Sequence, residues 1–223
     1  MTVPSIALIN PNTSLATTDR MVAVARAHAD DMEIVGLTAD RGEPFISDER
    51  ALGEAATVVG GLHIPRFFGG VIVAAFGDPG VPALKHRLDI PVIGIAEASM
   101  TAAAEHRRPF AIATTTPSLH DAIARLAADY GFDRQLVSIR TPALDPMELM
   151  QDPALLREEL FDVVERCIRL DKAEAVIIGG GPLADIAQSL SSAFDTEIIE
   201  PIPSAVAAMR VRLQRSGTGF SVL

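Results

Sequence analysis

Four short segments hold the residues whose types and spacing suit small-molecule chemistry. They are Asn10-Pro11-Asn12-Thr13-Ser14, Ala75-Phe76-Gly77-Asp78-Pro79-Gly80, Thr114-Thr115-Thr116-Pro117-Ser118 and Gly179-Gly180-Gly181-Pro182. The Asn amides of the first and the hydroxyls of the third are donors and acceptors able to hold a carboxylate or carbonyl. The same residue types are good helix caps, so capping alone is the competing role of both segments. Asp78 offers a carboxylate as base or as partner for a substrate amine, although Asp followed by Pro79 also suits a cap and a first helical residue. The glycines of the fourth segment let the backbone approach a ligand closely. Its extension through Leu183 and Ala184 fits a loose dinucleotide pattern, with Glu197 and Glu200 near the distance of a ribose contact, and keeps a nicotinamide- or flavin-dependent oxidoreductase as a minor alternative. Ser47, Asp48, Glu49 and Arg50 form a further polar cluster, either over the site or at a helix start.

These segments sit at regular places in a repeating pattern. Short β-branched runs alternate with Ala-rich helical stretches, which signals parallel βαβ units. Strands are expected near 5–9, 33–37, 70–74, 91–94, 110–113, 135–139, 175–178 and 197–199. Helices are expected near 14–29, 48–63, 80–87, 96–105, 118–128, 153–170, 183–193 and 204–213, with residues 216–223 as a tail. The four segments follow strands one, three, five and seven, where open α/β sheets bind ligands. Asn10 and Ala75 are 65 residues apart, and so are Thr115 and Gly180. The matching interval and loop chemistry predict two pseudo-symmetric four-stranded parallel-sheet halves with the site between them. The last helix should return to the first half, so the halves are residues 1–98 plus 200–223, and 99–199.

Composition narrows the partners. A net charge of −10 argues against nucleic acid, because phosphate binding needs clustered Lys and Arg. No apolar run approaches the ~20 residues that span a bilayer, and no secretory signal is visible. The single cysteine, Cys167, excludes an internal disulfide and fits a reducing, cytoplasmic setting. It falls on the apolar stripe of a helix and reads as a core thiol. His28, His63, His86, His106 and His120 lack metal-ligand spacing, so no metal site is expected. The expected partners are a small anionic or ureide substrate and further copies of the chain.

The ordered set Ile9-Asn10-Pro11-Asn12-Thr13-Ser14, Ala75-Phe76-Gly77-Asp78-Pro79-Gly80 and Pro91-Val92-Ile93-Gly94-Ile95-Ala96-Glu97-Ala98 resembles the aspartate/glutamate/hydantoin racemase family, its hydantoin and allantoin branch above all. The likeness extends from residue 6 to about residue 190, nearly the whole chain. It implies an enzyme without cofactor, in which two cysteines flank the substrate's acidic carbon, one taking a proton and the other returning one. The family's cysteines would fall at Ala75 and Gly180, which have no titratable group. The resemblance therefore implies action on a small carboxylate, hydantoin-like or carbamoyl compound by a cysteine-independent route, as an isomerase or a diverged hydrolase or decarboxylase. Asp78, Thr115, Ser47 or a water would supply the acid–base work. Asn10, Asn12, Thr13, Thr114 and Thr116 would hold the substrate, with Ala75 and Pro182 beside it, and amides around Phe76-Gly77 and Gly180-Gly181 would act as donors to developing negative charge. The alternative is a binding or regulatory protein that keeps the pocket without chemistry.

Overall fold

The computed structural model describes residues 3–180 and 183–218. It contains β1 (Ser5–Asn10), α1 (Leu15–Ala27), β2 (Glu33–Thr38), α2 (Glu49–Gly61), β3 (Phe68–Val73), α3 (Val81–Arg87), β4 (Val92–Gly94) and α4 (Ile95–Ala103). Then follow β5 (Phe110–Thr114), α5 (His120–Asp129), β6 (Leu136–Arg140), α6 (Pro146–Leu149), α7 (Pro153–Arg169), β7 (Ala175–Gly179), α8 (Ala184–Ser191), β8 (Glu197–Ile199) and α9 (Pro201–Thr218). Two four-stranded parallel sheets result, ordered β2-β1-β3-β4 and β6-β5-β7-β8. The two orders are the same, as the repeated interval predicts.

The inner strands are apolar on both faces, as parallel strands covered by helices must be. In β1, Ile6 and Leu8 enter a core with α1 and α9, while Ala7 and Ile9 enter one with α2 and α3. In β5, Ala111 and Ala113 pack toward α7 and α8, and Phe110 and Ile112 toward α4 and α5. Helix α4 serves both halves. Its Ile95 and Ala98 lie in the first sheet's core, and its Ala96, Met100 and Ala103 in the second's.

Three expectations shift. Helix α3 begins at Val81 rather than at Pro79, after Gly80 in the left-handed region (φ 78°). Helix α9 starts at Pro201, since a first-turn proline forgoes an amide that has no helical partner anyway. It runs to Thr218, through the first part of the expected tail, and is anchored by Arg210 on Asp31 and Arg212 on Val92 O and Glu97. The short helix α6 lies in a stretch where no element was expected; Asp145 caps it and Pro146 opens it. No described helix is long and apolar enough to cross a membrane.

Candidate active site

The turn after β1 is built around Asn10, which is fully buried. Its Nδ2 donates to Asn12 Oδ1 (2.8 Å), Ser14 O (3.0 Å) and Thr18 Oγ1 (3.0 Å), and its Oδ1 accepts from Asn12 N (3.2 Å). Asn12 Oδ1 also accepts from Ser14 N (2.9 Å). Both bonds to Asn12 end on its oxygen, so the amide orientation is fixed and Nδ2 is the group left to donate. Ser14 caps α1 by accepting from Thr17 N. Thr13 gives its backbone amide to Glu43 O at 3.2 Å, tying the turn to segment 39–48.

After β3 the chain turns through Gly77 (φ 136°) and Asp78 (φ 48°). The Asp78 carboxylate is buried and accepts from Ala96 N (2.9 Å), Glu97 N (2.8 Å) and the Tyr130 hydroxyl (2.8 Å). Asp78 thus caps the start of α4 instead of its own helix. Loss of water pushes its pKa up to about 6, against the opposing pull of these three donors. Burial, and then the facing carboxylate, raise the Tyr130 phenol well above its ordinary range.

The second half supplies Thr114, Thr115 and Thr116, all buried. The Thr114 and Thr116 hydroxyls are 3.4 Å apart. A 3₁₀ turn, Pro117–Leu119, then leads into α5. Among the described residues, the backbone amides of Phe76 and Thr116 meet no hydrogen-bond acceptor.

These strand ends enclose a small pocket that opens to solvent. Asn12, Thr114, Thr115 and Thr116 form its polar wall, with Ala75, Phe76, Gly179 and Gly180 between them. Phe45, Ile46, Leu119, Met150 and Leu183 complete an apolar lining. Among the described residues that line it, none is ionisable.

The proposed site residues therefore divide. Asn12, Ala75, Phe76, Thr114, Thr115, Thr116 and Gly180 meet at the pocket, whereas Asn10, Thr13, Ser47, Gly77 and Asp78 stand outside its lining. Gly181 and Pro182 lie outside the described residues. Beside Ser47, Asp48 caps α2 by accepting from Ala51 N at 2.8 Å, and Glu49 pairs with Arg125. Cys167 is wholly buried in α7, and burial raises its thiol to about 11. Glu197 is paired with Arg108. Among the described residues no cluster of His, Cys, Asp or Glu could hold a metal ion. Sequence reasoning missed Phe45, Ile46 and Met150. Their one sequence signal is apolar side chains inside stretches that lack any helix or strand period.

Two equivalent parallel sheets that close one pocket with their strand ends define an α/β protein built around a small-molecule site. The chain belongs to the Asp/Glu/hydantoin racemase family, whose model it matches over residues 6–209. It is 28% identical to the hydantoin racemase of Pseudomonas sp. (strain NS671) over 211 residues, which cover 90% of this chain and 82% of that one. Allantoin racemase from Klebsiella pneumoniae superimposes with a TM-score of 0.86 and 30% identity, over 96% of this chain and 89% of that one. Allantoin racemase from Pseudomonas fluorescens gives a TM-score of 0.87 and 27% identity, over 96% and 92% of the two chains. These relatives are isomerases.

Proposed function

We propose that the protein is a cofactor-independent enzyme of this superfamily that acts on a small hydantoin-like, carbamoyl or carboxylate compound without a pair of cysteines. The observation that carries this reading is the fixed Asn12 amide from one half sharing an uncharged pocket with three threonine hydroxyls from the other. Asn12 Nδ2 would donate to a substrate carbonyl, and the hydroxyls, which both donate and accept, would take its N–H and C=O groups. The amides of Phe76 and Thr116 are further donors for charge that develops on an oxygen. Of the three candidate acid–base residues, Thr115 is the one at the pocket wall; Asp78 is engaged at α4, and Ser47 is outside the lining. A threonine hydroxyl is a weak base, so the reading favours reactions that release a carbon electron pair without one, such as decarboxylation, or attack by water. It extends to a cytoplasmic homo-oligomer, which light scattering on the purified protein checks.

The test is incubation with 5-substituted hydantoins, N-carbamoyl amino acids and substituted malonates in D₂O. Ring opening, loss of CO₂ or loss of the carbamoyl group supports the reading. Deuterium gain at the substrate carbon with no other change points instead to retained racemisation. A second reading, a binding protein without turnover, is favoured by the lack of ionisable groups in the described lining. Thermal stabilisation by one of these compounds, with no product by mass spectrometry, would select it.

A further inference from the structure

Asp78 is out of the pocket, yet it touches elements that build both of its walls. Its own turn carries Ala75 and Phe76, which line one wall. Its carboxylate caps α4, the helix shared by both cores. Its third donor, Tyr130, ends α5, and α5 begins just after the Thr114-Thr115-Thr116 wall. The fit is close. A β-carbon on Gly94 would lie 2.0 Å from Asp78 Cγ, so the carboxylate occupies space that any side chain at 94 would take. Asp78 is also held in the left-handed region at φ 48°, which a non-glycine residue adopts at a cost. Phe76 reinforces the link, because its ring sits in the second half's core against the bare Cα of Gly179.

We propose that Asp78 and Tyr130 are positioning residues that clamp the two walls of the pocket at their working separation. The clamp matters to function only if the pocket is the site proposed above, so the test reads the walls and not turnover. Charged groups around it are Glu97 on α4, held by Lys85 and Arg212, and Glu49, Arg125 and Asp129, which line the groove outside Asp78.

Hydrogen–deuterium exchange of the intact protein, Tyr130→Phe and Asp78→Asn would be followed in peptides covering 74–80, 92–100 and 113–120, with α7 as reference. Tyr130→Phe should speed exchange about tenfold in both 74–80 and 113–120, the loss of one hydrogen bond to a charged group, and leave α7 unchanged. Asp78→Asn should also leave one of the Ala96 and Glu97 amides without its acceptor, since the two bond to different carboxylate oxygens and the NH₂ that replaces one of them cannot accept. In the unsubstituted protein, protection of 92–100, corrected for intrinsic exchange, should inflect as Asp78 titrates, and this inflection should move upward in Tyr130→Phe. An unchanged 113–120 wall in Tyr130→Phe, or faster exchange spread equally to α7, would overturn the clamp. If Asp78→Asn does not fold, Tyr130→Phe alone decides. A protein that binds none of the compounds above would leave this result standing.

Discussion

The Asp78 carboxylate fills the volume in which a side chain on Gly94 would stand: a β-carbon there would lie 2.0 Å from Asp78 Cγ. A side chain at 94 has no room unless Asp78 moves. Gly94→Ala should therefore force Asp78 off Ala96 N and Glu97 N and cost about 3 kcal/mol, as overpacking of a rigid site does. Urea unfolding measures it, and a loss under about 1 kcal/mol would mean that the turn at Asp78 yields.

The same carboxylate predicts a pH dependence with a definite sign. Its pKa is 3.8 in the unfolded chain and about 6 in the fold, so the native state binds the extra proton. Stability from this group is therefore greatest below pH 3.8, falls as pH rises through 6, and is flat above. The full change is roughly 3 kcal/mol at 1.4 kcal/mol per pH unit. Urea unfolding between pH 4 and 7 should show this slope in the unsubstituted protein and not in Asp78→Asn.

Asn10 and Asn12 should respond differently to truncation. Asn10→Ala removes a fully buried group with four hydrogen bonds and should cost about 3 kcal/mol, by analogy with other buried polar deletions. Asn12→Ala should cost about 1 kcal/mol, close to the loss of a cap. It should remove ligand-induced thermal stabilisation altogether. Equal effects of the two on stability and on binding would contradict the division of roles.

Replacing Ala75 and Gly180 together by cysteine tests the alignment of this pocket with its relatives. The double variant should introduce deuterium at C5 of a 5-substituted hydantoin in D₂O well above the solvent rate, and each single variant should do so less. At Gly180 the new β-carbon would meet Leu183 Cγ and Cδ1 at 3.2 Å, and the backbone there (φ 158°) is one that a side chain rarely adopts, so this substitution carries strain and the Ala75→Cys variant is the control for it. Both thiols titrating with no exchange would place the reacting carbon elsewhere.

The βα alternation and the 65-residue interval were enough to read the two sheets and the four strand ends that meet at the pocket. That succeeds because strand period and loop chemistry are local properties. Asp78 shows where local reasoning stops. Asp-Pro reads as a cap for the next helix, but the helix it serves starts 17 residues later, at Ile95, and only the tertiary fold brings the two together. Asn10 and Asn12 are alike as side chains, and the strand's burial alone decides that one is internal glue and the other faces the pocket. Phe45, Ile46 and Met150 were not legible because they lie in irregular segments with no period to orient them.

The sharing of α4 has a consequence for how the chain behaves when cut. One stripe of this helix belongs to the first core through Ile95 and Ala98, the other to the second through Met100 and Ala103. A break between residues 98 and 99 would leave each fragment with a torn half-helix and an unsealed apolar seam. The two pieces would persist only by reassociating, as a complementing pair and not as separate modules.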